Sequence, residues 1–209
     1  MACSTPNVAI FRATAKRSAR KPWPPPWKGC WMSSPCAPEP QQRLFLALWP
    51  EDAQRRRMAA LAANAAGRRR VPDANLHLTL AFLGATDAER LAAYEAALAD
   101  LAVPTLDLVL DRYGYWPRPR ILWLGCSETP PELYELVADL SRRLRGCGFV
   151  PERRSFQAHI TLARNFAGPA PNRPPDPPVD WRIDRVVLVE SQPGETGSRY
   201  RVLRGWTQG

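Results

Sequence analysis

Histidine is almost absent: the 209 residues contain two, His77 and His159. A zinc centre takes three or four ligands, and Cys126 and Cys147 stand outside any CxxC pairing, so no metal or other cofactor is expected. The five cysteines (Cys3, Cys30, Cys36, Cys126, Cys147) are odd in number and fit no disulfide framework, which points to reduced thiols and a cytoplasmic protein. There is no run of 18 apolar residues, so no membrane-spanning helix is expected, and the early apolar stretch VAIF is too short for a secretory core. Lysine stops at Lys28, leaving arginine as the only fixed cation beyond it.

The formal charge is +9, from 29 basic and 20 acidic residues. Residues 1–42 hold six basic residues against the single Glu39, which accounts for +5 of it. The basicity is therefore largely a property of the N-terminal stretch, and any argument for an anionic partner has to rest on a site in the rest of the chain. The same stretch carries eight of the 23 prolines and the spaced residues Trp23, Trp27 and Trp31. Proline at that density continues neither a helix nor a central strand, so 1–42 reads as a disordered Pro/Trp-rich extension and 43–209 as the folded domain.

From Arg43 the patterning is regular. Strands are expected at 43–49, 75–84, 105–116, 120–127, 155–164, 182–191 and 198–206, and helices at 51–67, 87–102 and 130–146. The segment 168–178 holds six prolines and reads as a loop. The order β-α-β-α-β-β-α-β-β-β is an α+β plan, and the short turns between neighbouring strands imply mainly antiparallel pairing.

Each histidine opens the same four-residue pattern: His77-Leu78-Thr79-Leu80 and His159-Ile160-Thr161-Leu162. Threonine makes up 9 of the 209 residues, so its presence two places after both histidines has a chance of about 0.002. On a strand, residues i and i+2 share a face. Imidazole and hydroxyl therefore stand together, while Leu78, Leu80, Ile160 and Leu162 anchor the strands in the core. Two such strands side by side would present two imidazoles for proton transfer and two hydroxyls for phosphate oxygens. A lone histidine on a strand is ordinarily a packed residue; the duplication argues against that reading here.

The paired motifs resemble those of the two-histidine phosphoesterase superfamily, and more closely the RNA 2',3'-cyclic phosphodiesterase family, also called 2'-5' RNA ligases. The resemblance rests on RLFLALWP (43–50), RRRVPDANLHLTLAFLG (68–84), RYGYWPRPRILWLG (112–125) and SFQAHITLAR (155–164), and covers about 43–206. Family members often have Pro before the second histidine; here it is Ala158. The resemblance implies a bilobal α+β fold, two pseudo-symmetric antiparallel sheets with outer helices around a central groove. It implies hydrolysis of RNA 2',3'-cyclic phosphate ends to 2'-phosphomonoesters, with reversible 2'-5' ligation in some members. It makes His77 the general acid, His159 the general base, Thr79, Thr161 and Arg164 phosphate ligands, and Phe82 a base-stacking residue. RNA ends or cyclic nucleotides are the expected partners, and a monomer the expected state. A phosphodiesterase for a small cyclic nucleotide or ADP-ribose cyclic phosphate, and an RNA-end-binding module without turnover, are the alternatives.

Two of these residues conflict with strand parity. Phe82 and Arg164 each lie five places after their histidine, which in an unbroken strand puts them on the opposite face. Tyr113, Tyr115 and Trp116, beside the Arg118–Arg120 turn, can stack on a single-stranded end or simply pack a hairpin.

Overall fold

The computed structural model describes residues 41–194 and 197–208, so the expected disorder of the N-terminal stretch lies outside the described residues. The first strand, β1 (Gln42–Leu48), begins one residue before the expected domain start. It is followed by α1 (Asp52–Ala66), β2 (Leu78–Thr86), α2 (Ala88–Ala97), β3 (Leu106–Leu110), β4 (Arg112–Trp116), β5 (Ile121–Gly125) and α3 (Pro131–Arg145). The last four strands are β6 (His159–Ala163), β7 (Val179–Ile183), β8 (Arg185–Gly194) and β9 (Gly197–Thr207). Among the described residues no helix is long and apolar enough to cross a membrane.

The α+β class and the antiparallel pairing are as expected. The strands form a seven-stranded sheet, β4-β5-β6-β2-β1-β8-β9, and a two-stranded sheet, β3-β7. The large sheet divides into the groups β4-β5-β6 and β2-β1-β8-β9, each carrying one His-x-Thr motif. A single pair, Leu78 opposite Ile160, joins β2 to β6 and so joins the two groups.

One face of the large sheet is the apolar core. Leu44, Leu46 and Leu48 of β1 enter it with Leu78, Leu122, Leu124, Ile160 and Leu162. The helices cover this face. On α3, Leu133, Leu136, Leu140 and Leu144 are buried at helical spacing, Pro131 occupies the first turn, and Arg142, Arg143 and Arg145 sit favourably in the last. On α2, the Asp87 carboxylate caps the start by accepting from the Arg90 amide at 2.8 Å. On α1, Arg57 donates to the carbonyls of Pro177 and Pro178 at 3.0 and 3.2 Å, tying the helix to the proline-rich loop. The opposite face of β1 carries Phe45 and Ala47, which pack with Val187 and Val189 of β8 in a smaller cluster.

Two expected strands prove to be composite. The segment 105–116 divides at Asp111, whose carboxylate accepts from the amide and hydroxyl of Ser127 at 2.7 and 2.5 Å. The chain thereby leaves the small sheet as β3 and enters the large one as β4. The expected strand 182–191 begins earlier and also divides. Val179, Trp181 and Ile183 bury one side of β7 against β3, and Asp184 separates it from β8.

Candidate active site

The site grows from the Leu78–Ile160 pair. Both side chains are fully buried and point to the core, so their neighbours point to the other face. The antiparallel register around that pair sets His77 across from Thr161 and Thr79 across from His159. The two motifs thus meet about a local two-fold axis, with four polar side chains on one face.

Two bulges settle the parity conflict. Along β2, Thr79 pairs with Ala47 and Ala81 with Leu46, so Leu80 is an extra residue; Phe82 then pairs with Phe45. Ala47 and Phe45 share a face, and Thr79 and Phe82 therefore share it as well. Burial reports the same shift, since Leu83 enters the core and Phe82 is 53% exposed. Along β6, Thr161 pairs with Trp123 but Ala163 with Leu122, which makes Leu162 the extra residue. Ala163 joins the core and the alternation returns Arg164 to the histidine face. The bulge sits at the fourth position of both motifs.

Both imidazoles are oriented from the backbone two residues upstream. His77 Nδ1–H donates to the Asn75 carbonyl at 2.7 Å and His159 Nδ1–H donates to the Gln157 carbonyl at 2.8 Å. A carbonyl only accepts, so each neutral ring carries its proton on Nδ1 and presents Nε2 as a base. The Thr79 hydroxyl lies 3.0 Å from His77 Nε2 and donates to it in that state. Among the described residues His159 Nε2 has no such partner, so its lone pair is open.

Burial disfavours the charged form of both rings. It lowers the His77 pKa to about 4 against the hydrogen bond to Asn75, with the charges of Arg164 and His159 reinforcing it. His159 is also lowered, first by burial, with Arg154 and Arg164 adding to it and the Gln157 carbonyl and Glu152 opposing. Arg164 is thus close enough to act on both rings.

A cavity of about 480 Å³ opens beside His159, lined among others by Thr79, Phe82, Trp116, Arg118 and Arg154. Of the four polar motif residues it takes in one from each motif, Thr79 and His159; His77 and Thr161 are outside its lining. Trp116 lies edge to face with His159 at 4.6 Å and packs on Trp123 at 5.5 Å. A Cβ on Gly114 would fall 2.0 Å from the Trp123 indole, so only glycine lets that ring lie flat on β4. His77 is enclosed by Phe45, Trp49 and Tyr200. Sequence reasoning missed these three rings. Phe45 and Trp49 do follow the non-leucine alternation of 43–49, but Tyr200 arrives only through the sheet order. Among the described residues no three His, Cys, Asp or Glu side chains form a group able to hold a metal ion.

The two half-buried histidines make stability depend on pH. In the unfolded chain each protonates near 6.5, while in the folded protein His77 does so near 4. Its contribution is fully present above pH 6.5 and is lost as pH falls toward 4, on the order of 2–3 kcal/mol after solvent screening. Denaturant unfolding from pH 7 to 4.5 should show this decline, and His77→Gln should flatten it. An unchanged slope in that variant would refute the burial of a neutral ring.

The LigT like Phosphoesterase family matches the chain twice, over residues 48–123 and 124–200, one motif to each match. The RNA 2',3'-cyclic phosphodiesterase of Escherichia coli (strain K12) is 33% identical over 132 residues, 63% of this chain and 75% of that protein. The protein of that name from Thermus thermophilus is 34% identical over 154 residues, 66% of this chain and 74% of its own length. Among solved structures, that of E. coli LigT complexed with 3'-AMP superposes with a TM-score of 0.74 at 31% identity, covering 80% of this chain and 98% of that one. The crystal structure of TT0787 of Thermus thermophilus superposes at 0.66 with 28% identity, covering 79% and 97%. With both halves matched and each contributing one His-x-Thr motif to a common face, the chain belongs to the LigT-like phosphoesterase family.

Proposed function

We propose that this protein hydrolyses the 2',3'-cyclic phosphate ends of RNA to 2'-phosphomonoesters, with His159 as general base, His77 as general acid and no metal ion. The observation that carries the proposal is the antiparallel pairing of the two motifs about Leu78 and Ile160. It gives the two imidazoles and two hydroxyls that in-line displacement at phosphorus needs. The names of the relatives support the reaction class.

In this mechanism water enters beside His159, whose open Nε2 lone pair takes its proton as the oxygen attacks phosphorus. The bond from phosphorus to the 3'-oxygen breaks, and His77 Nε2–H protonates that oxygen as it leaves. Thr79, Thr161 and Arg164 donate to the phosphate oxygens as charge builds on them. Phe82 stacks on the base. The free site is poised for the first transfer but not the second, since burial keeps His77 neutral at pH 7. A bound phosphate anion offsets Arg164 and favours protonation of His77. A 5'-hydroxyl in place of water makes the same displacement a 2'-5' ligation, and reversal of that step cleaves the linkage.

His77→Ala and His159→Ala should each lower kcat on a nucleoside 2',3'-cyclic phosphate by about 10²–10⁴-fold, and the double variant by little more than the worse single one. Thr79→Val and Thr161→Val should lose roughly tenfold. Turnover should be undiminished in EDTA. Full activity in either histidine variant, or loss in EDTA restored by Zn²⁺ or Mn²⁺, would overturn the mechanism.

Arg118 and Arg154 favour an RNA end over a small cyclic nucleotide. They line the same cavity as His159 and Phe82, where an RNA strand would bring further phosphates. Joint replacement by glutamine should lower kcat/KM by roughly tenfold on an oligonucleotide with a cyclic phosphate end, and little on the mononucleoside. Equal losses on both would favour the small-substrate reading.

A further inference from the structure

The proton transfers proposed above leave unused the three rings that enclose His77. Trp49 lies parallel to the imidazole, 13° between planes and 5.6 Å between centroids. Tyr200 stands perpendicular to it at 5.1 Å, and Phe45 is tilted by 34° at 4.9 Å. The rings also brace one another, Phe45 against Tyr200 at 5.1 Å and Trp49 against Tyr200 at 6.5 Å. They come from opposite ends of the chain, Phe45 from β1, Trp49 just past its end and Tyr200 from β9.

A histidine that acts as general acid has to be a cation for part of its cycle, and the surroundings of His77 otherwise oppose that. Among the described residues the charged and titratable groups that bear on it are Arg164 and His159, with the Tyr200 phenol beside it, and none is a carboxylate. The groups that favour the charged ring are the Asn75 carbonyl, which accepts from Nδ1–H, and the Thr79 hydroxyl, which can accept from Nε2–H once it is protonated. An aliphatic wall would seal the ring equally well and do nothing for its charge. The face of an indole carries negative potential and attracts a cation within about 6 Å, and tryptophan does so best among the aromatic side chains. Among the described residues His159, which starts neutral in the mechanism, has no parallel ring: its aromatic neighbour Trp116 is inclined by 72°.

We propose that Phe45, Trp49 and Tyr200 form a cage for the imidazolium of His77, in which the indole face of Trp49 stabilises the cation and makes Trp49 a positioning residue for the general acid. The proposal rests on His77 being that acid, but its test does not depend on turnover.

The test is the protonation midpoint of His77, followed by NMR on its ring carbon in the full chain, free and with sulfate as a fixed-charge anion. Trp49→Leu keeps an apolar wall and removes the π face, so the midpoint should fall by about 0.5–1 pH. Trp49→Phe keeps a weaker π face and should fall less. In steady-state assays the basic limb of kcat should move down by the same amount with KM nearly constant. A ring that merely excludes water predicts the opposite sign, because its loss hydrates His77 and raises the midpoint. A midpoint that stays or rises would overturn the cage, as would a raised KM with no change in midpoint. If the leucine variant does not fold, the sign of the shift in Trp49→Phe decides. Absence of turnover in the unaltered protein would instead refute the assigned reaction and leave the cage decided by the NMR result.

Discussion

One cross-strand pair holds the site together. Leu78 and Ile160 are both fully buried, and their pairing is the register contact between the two halves of the large sheet. A shift of one residue there would turn His77 and Thr79, or His159 and Thr161, into the core. The hydrophobic drive to bury Leu78, Ile160, Leu162 and Leu80 on one side is therefore what puts two imidazoles and two hydroxyls on the other. Core packing and active-site geometry are the same constraint seen from opposite faces of two strands.

The bulges extend that logic. Leu80 and Leu162 occupy equivalent positions and each inserts an extra residue, so that the residue five places after either histidine returns to the functional face. Phe82 takes that place in one half and Arg164 in the other. The two halves thus share a backbone device and differ in what it presents: an exposed aromatic surface on one side, a fixed charge felt by both histidines on the other.

Much of this was legible in the sequence because it depends on local period. The alternation in NLHLTLAFLG and SFQAHITLAR marked both strands, their inward and outward faces, and the repeated motif. The leucines of α3 and the prolines of 168–178 were equally direct. What escaped was set by contacts distant in sequence. The break at Asp111 depends on Ser127, the strand β7 depends on pairing with β3, and the enclosure of His77 depends on Tyr200 reaching it across β8 and β1. Strand parity pointed the wrong way for Phe82 and Arg164, because a bulge is a tertiary adjustment that leaves no mark in the alternation preceding it.

In the proposed mechanism catalysis depends on one proton shared between two histidines whose basicity the fold suppresses. The pH profile of kcat/KM, which reports the free enzyme, tests this most directly. The arrangement requires a bell with its maximum on the acid side of 6.5, where one ring is charged and the other neutral, and a kcat bell displaced upward by the bound phosphate. A rate that climbs steadily into the alkaline range would mean that a single base suffices and would contradict the paired-histidine mechanism.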